Sequence, residues 1–171
     1  MVKVRRSREG DVKSLCKRLR SADRIELRVS KGPLIRKALE RGVMNSERCF
    51  SIDDSGRVIG MFGVTPYRIE GRLRVGAPWM VGSDELFNLY TRRFLREYPI
   101  WLERLCEGYD VLENFVYSGN EKHIRWLKFA GFELVELVEC YGVGREPFWR
   151  FRIDLRSSGV LGPRHRRKVI A

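Results

Sequence analysis

The 171-residue sequence has no apolar run approaching the roughly 18 to 20 residues that a membrane-crossing helix needs. It has only two histidines, His123 and His165, and its four cysteines, Cys16, Cys49, Cys106 and Cys140, lie far apart. No Cys-x-x-Cys or mixed His/Cys spacing exists to hold zinc, so a zinc finger or ribbon is excluded. The cysteines read instead as small buried hydrophobes of a reduced protein. Internal repeats and low-complexity stretches are missing too. The opening Met1-Val2-Lys3-Val4-Arg5-Arg6 lacks the apolar centre of a signal peptide, which sets a cytoplasmic location as the expectation.

Acidic residues are absent from the end of the chain. Residues 156–171 carry Arg156, Arg164, Arg166, Arg167 and Lys168 and no acid, while residues 1–20 carry eight Lys/Arg against Glu9 and Asp11. The body between them is nearly neutral, so the net charge of +12 belongs to the two ends. Such ends suit an acidic protein surface or the phosphates of a nucleic acid, with Arg5, Arg6, Arg8, Arg164, Arg166, Arg167 and Lys168 as the candidate contacts. They equally suit solvated faces that aid solubility. No aromatic residue interrupts the basic tail, which disfavours a stacking platform for single strands.

At 43% hydrophobic and 33% charged residues, the chain is of globular composition and of a length for one domain. Val2 and Val4 alternate with basic residues as on a half-buried strand. Val12, Leu15, Cys16 and Leu19 fall at helical spacing after Asp11, a plausible cap, and Leu34 to Val43 repeat that period after Pro33. Cys49 to Ile52 and Val58 to Val64 flank Asp53-Asp54-Ser55-Gly56 and read as a hairpin. Arg74 to Val81 reads as a third strand, in which Pro78 implies a bulge or a splayed edge. Asp84 should open a long helix through Phe94 and Leu95 that Pro99 kinks or breaks. Leu112 to Tyr117 reads as a buried strand. Asn120 then opens a helix that Gly131 ends, and strands Glu133 to Val138 and Phe148 to Ile153 follow.

The resulting order, β-α-α-β-β-β-α-β-α-β-β, indicates an α/β sandwich with a mixed sheet over residues 1–155, followed by a basic extension over residues 156–171.

The segment Gly119-Asn120-Glu121-Lys122-His123-Ile124-Arg125-Trp126-Leu127-Lys128-Phe129-Ala130-Gly131-Phe132-Glu133 resembles the strand-helix-Gly-Phe signature of the GNAT (Gcn5-related N-acetyltransferase) superfamily. More narrowly, Ala22-Asp23-Arg24, Met61-Phe62-Gly63-Val64, Ala77 to Leu86 and Ile124 to Leu127 resemble small GNAT-like proteins of tailed bacteriophages, of internal-virion or acetyltransferase type. The resemblance implies a GNAT-like mixed sheet flanked by helices. It also implies acetyl-CoA between two splayed central strands, here those near Trp79 to Val81 and Leu112 to Tyr117. An active protein would then contact the cofactor through Met80, Val81, Gly82, Ser83 and Asn120.

Two departures weigh against activity. The superfamily cradles pyrophosphate with the amides of a Gln/Arg-x-x-Gly-x-Gly/Ala loop, where this chain has Gly82-Ser83-Asp84-Glu85. Carboxylates at that helix start should satisfy its amides themselves and repel phosphate. The Tyr that often protonates the departing thiolate is here Leu127.

Glu70, Asp84 and Glu85 stand as candidate bases and Tyr117 as a substitute acid, against plainer roles as turn, caps and strand end. His123 reads as a solvent-facing helical residue, and Trp79, Trp101, Trp126 and Trp149 read as core. The leading expectation is a non-catalytic phage protein, in the virion or the host cytoplasm, that binds other phage proteins, an acidic surface or packaged nucleic acid through its basic ends, without cofactor or metal. The alternative is an acetyl-CoA-dependent N-acetyltransferase. A sequence-specific DNA binder is weakest, because no helix-turn-helix or finger motif occurs.

Overall fold

A computed structural model describes residues 2–158, apart from the side chains of Thr91 and Phe94. Alternation at the start of the chain builds an edge strand, β1 (Val2–Arg6), which pairs antiparallel with β2 (Arg48–Asp54). A two-residue turn joins β2 to β3 (Arg57–Glu70). Ser55 and Gly56 take φ of 52° and 87°, the double left-handed geometry that matches the twist of a tight hairpin. Gly71, at φ 63°, turns β3 into β4 (Leu73–Gly82). Then follow β5 (Val111–Tyr117), β6 (Glu133–Tyr141) and β7 (Glu146–Asp154). The seven strands lie in the order β1-β2-β3-β4-β5-β7-β6, parallel only between β4 and β5.

Three helices precede β2: α1 (Asp11–Cys16), α2 (Ser21–Lys31) and α3 (Ile35–Asn45). On one sheet face Val12, Leu15 and Leu39 of this group pack with Val58, Met61 and Val81. The opposite face carries α4 (Asp84–Leu89), α5 (Thr91–Cys106) and α6 (Glu121–Phe129), whose Leu86, Leu102 and Leu127 meet Phe62, Leu112 and Phe151. Trp101, Trp126 and Trp149 pack against that larger core and Trp79 against the smaller one, as read from the sequence.

The mixed sheet flanked by helices stands as expected, and four local expectations are corrected. There is a third helix, α2, before β2. Its one buried residue is Asp23, so no apolar stripe announced it. The helix opening at Asp84 stops at Tyr90 rather than at Pro99. Tyr90 leaves helical geometry (φ −113°, ψ 8°), and its hydroxyl donates to Asp54 across the hairpin turn at 3.0 Å. Pro99 sits exposed within α5, where solvent can replace the bond it cannot donate. Cys140 is exposed rather than buried, because β6 is the outer strand of the sheet. Asp11 is not a helix cap: Gly10 holds that position, and Asp11 is buried beneath it, bonded to Arg5, Arg8 and Ser51.

Candidate functional site

Strands β4 and β5 pair only at Val75–Val111 and Gly76–Leu112, and then diverge. Pro78 lies just beyond the last pair, where it has no amide to offer β5, and its carbonyl accepts from the Asn114 side chain across the gap at 2.8 Å. The divergence opens a cavity of about 730 Å³ lined by Pro78, Trp79 and Met80 on β4, Asn114 and Phe115 on β5, Glu26 on α2, and His123 on α6.

Helix α2 spans the open end of the splay. Asp23 and Glu26, three residues apart and so on one helix face, each hold one arm. Asp23 accepts from the Gly82 amide at the end of β4 at 2.8 Å. Glu26 accepts from the Asn120 side chain beyond β5 at 2.7 Å. Arg20 joins the two, donating to Asp23 at 2.8 Å and to Asn120 at 3.4 Å, while its guanidinium covers the Phe87 ring. Arg20, Asp23 and Asn120 are all buried, and their mutual bonds offset the cost of leaving water. Burial pushes the Glu26 carboxyl up to about 7. It pushes the His123 imidazole, whose Nδ1 has no hydrogen-bond partner, down to about 4.

The junction where the superfamily loop would lie is short and partly bonded. Strand β4 passes into α4 through the single residue Ser83. The Gly82 amide is held by Asp23 and the Ser83 amide by the Ile59 carbonyl at 2.8 Å, while the Arg20 amide donates to the Gly82 carbonyl at 3.0 Å. Two amides of this junction are thus engaged within the protein, so it offers fewer free donors to a pyrophosphate than the loop that the GNAT resemblance implies.

The candidates from the sequence are scattered about this cleft. Met80 and Val81 both line the cavity, and Val81 also packs in the core under α1 and α3. Asn120 and Gly82 are joined at the splay through Arg20 and Asp23, whereas Ser83 bonds by its amide to Ile59 and its buried hydroxyl has no partner among the described residues. Glu85 faces Arg57 at 3.6 Å and Asp84 is exposed, so neither reaches the cavity. No side chain caps α4, which corrects the expected self-capping. Tyr117 packs its ring on Phe148. Glu70 lies at the opposite end of β3, where Arg152 and Arg68 bind it and hold its carboxyl below the ordinary carboxylate range, the reverse of what a base requires.

His123 faces the cavity rather than solvent. Arg5 is directed inward to Asp11 and Asp53, so it is no outward contact, whereas Arg6 and Arg8 are exposed. Arg164, Arg166, Arg167 and Lys168 lie outside the described residues. Sequence reasoning missed Arg20, Asp23, Glu26 and Asn114. The Asp23–Glu26 spacing was the available signal.

Residues 69–136 match the family described as "Bacteriophage T7, probable scaffold protein Gp13". Within the chain, 56 residues are 38% identical to the "Probable scaffold protein gp13" of Escherichia phage T7, over 31% of this chain and 41% of that protein. The match thus spans under half the length of the curated relative. Among solved structures, a ribosomal-protein-alanine N-acetyltransferase from Brucella melitensis is similar at a TM-score of 0.65, with 17% identity over 90% of this chain and 99% of its own. A GCN5-related N-acetyltransferase from Kribbella flavida gives 0.64, with 16% identity over 90% and 98%. At that identity the likeness speaks for architecture, and the chain has the GNAT fold.

Proposed function

We propose that this chain is a structural component of a phage particle or of its assembly, built on the GNAT fold and not turning over acetyl-CoA. The observation that carries the reading is Asp23 on the Gly82 amide, at the one-residue junction between β4 and α4. A carboxylate of the protein itself, paired with Arg20, takes a donor that an anionic cofactor would need. The partial similarity to a phage protein described as a scaffold supports the same reading. In it the exposed Arg6 and Arg8, together with the cations of residues 159–171, contact acidic surfaces of neighbouring proteins.

A second reading, an acetyl-CoA-dependent N-acetyltransferase, draws on the cavity itself. A carboxyl poised at about 7, as Glu26 is, suits proton abstraction near neutrality. A calorimetric titration of the full chain with acetyl-CoA separates the two. The structural reading expects no saturable heat and no rise in melting temperature at millimolar cofactor. A micromolar dissociation constant, with transfer to an amine that Glu26→Gln abolishes, would establish the enzyme.

A further inference from the structure

The charges of residues 11–45 are sorted by direction. Three of the four carboxylates turn inward, Asp11 to Arg5, Asp23 to Gly82 and Glu26 to Asn120, while Glu40 stays at the surface, held by Arg36 at 2.7 Å. Apart from the buried Arg20, most of the cations turn outward. Lys13, Lys17, Arg28, Lys31, Lys37 and Arg41 are exposed, and no carboxylate among the described residues is paired with any of them. A stretch with ten Lys/Arg and four Asp/Glu is therefore more cationic at its surface than its count alone implies.

Helix α3 gives that face a more specific composition. Leu34, Lys37, Arg41 and Met44 recur at steps of three, four and three, which sets them in one stripe along the helix. Both apolar members are out in water, Leu34 at 61% and Met44 at 83% of full exposure. Leu34, Lys37 and Arg41 also line the cavity whose sheet side is formed by Trp79, Phe115 and Tyr141. The stripe is thus continuous with an aromatic groove between α3 and the sheet.

We propose that this stripe and groove dock an acidic segment of a partner protein that also carries apolar side chains. Cations alone would suit phosphate as well, but a nucleic-acid backbone would leave Leu34 and Met44 wet. A protein segment neutralises Lys37 and Arg41 and covers the apolar Leu34 and Met44 that flank them in one contact, the pairing typical of interface cores. The inference rests on the structural-component reading for taking the partner to be an assembly protein.

The test is fluorescence anisotropy with the full chain and two labelled probes, a short peptide of Glu and Leu at helical spacing and an oligothymidylate. Saturable peptide binding is expected, weakened roughly tenfold by Lys37→Glu with Arg41→Glu and about threefold by Met44→Ser. Lys37→Arg should preserve it. All four positions are exposed, so the variants should melt with the parent, which separates lost docking from lost fold.

The proposal is overturned by a peptide that does not saturate, by binding indifferent to charge reversal, or by oligothymidylate binding more tightly than the peptide and ignoring Leu34→Ser with Met44→Ser. The acetyl-CoA titration is read independently. A chain that binds cofactor and also passes the peptide test removes the structural reading and leaves the docking face in place.

Discussion

At the residue scale the cleft is governed by two groups whose ionisation burial opposes in contrary senses. Glu26 is pushed up from its ordinary value of 4.5 to about 7, so between those values the folded chain holds a proton that the unfolded chain has released. Its contribution to stability therefore falls as pH rises through that window. His123 is pushed down from 6.5 to about 4, so there the unfolded chain holds the extra proton and stability falls as pH drops.

The two partly cancel in the parent protein, and Glu26→Gln should separate them. Gln can still accept from Asn120, so the clamp keeps its bond while the titration is lost. We expect the stability of Glu26→Gln relative to the parent to rise by roughly 1 to 3 kcal/mol between pH 5 and pH 8, as measured by urea unfolding. A difference that stays flat with pH would mean that Glu26 is solvated and charged throughout. Neither group was legible in the sequence as a cleft residue. His123 read as solvent-facing because a lone polar residue on a helix usually is, and Glu26 sat in a segment where no helix was anticipated.

At the element scale, helix α2 explains why that part of the site was hidden. Hydropathy finds helices that bury an apolar stripe, but the inward face of α2 carries Asp23 and Glu26, and polar bonds hold it in place. Strands with alternating or continuous apolar residues, such as β5 and β7, could be located to within a residue or so. The break at Tyr90 could not, because a hydrogen bond to Asp54, distant in sequence, sets it.

The far end of α2 is fastened by backbone as well. The turn between β6 and β7 lies against it, with the Gly144 amide donating to the Val29 carbonyl at 2.8 Å. Gly142 in that turn has φ 68°, and a Cβ there would come within 2.6 Å of the Ser30 Cα and 2.8 Å of the Val29 carbonyl. Backbone cannot yield as a side-chain tip can. Gly142→Ala should therefore cost roughly 2 to 4 kcal/mol, from the left-handed conformation and the clash together. It should also raise amide exchange at Val29 to Lys31 relative to the centre of the sheet. Normal protection there with a parental melting temperature would show that the turn does not brace α2.

At the scale of the whole molecule, the distribution of charge along the chain and its distribution in space differ. Counting over the whole body left it nearly neutral and put the excess at the ends, yet residues 21–45 already carry six Lys/Arg against three Asp/Glu, and folding turns Asp23 and Glu26 inward, which sharpens the cationic face. Two cationic regions therefore have to be told apart: this helical face, and residues 159–171 with Arg164, Arg166, Arg167 and Lys168. Deletion of residues 159–171 separates them. The last strand ends at Asp154, and Leu155 behind it is buried with its amide bonded to the Asp110 carbonyl at 2.9 Å, so the cut falls outside the described packing. The shortened chain should melt within a degree or two of the parent, since a loss of 1 kcal/mol would shift a domain of this size by about 2 to 4 °C.

If the tail supplies attachment to neighbouring proteins, the shortened chain should bind an acidic peptide more weakly and with a shallower salt dependence, since fewer cations are screened. If the α3 stripe supplies it, affinity and salt slope should stay with the shortened chain and disappear in Lys37→Glu with Arg41→Glu. Partial loss in each, additive when combined, would mean that tail and helix hold separate parts of one acidic surface. A shortened chain that binds like the parent, with an unchanged salt slope, would reduce the tail to a solubilising end.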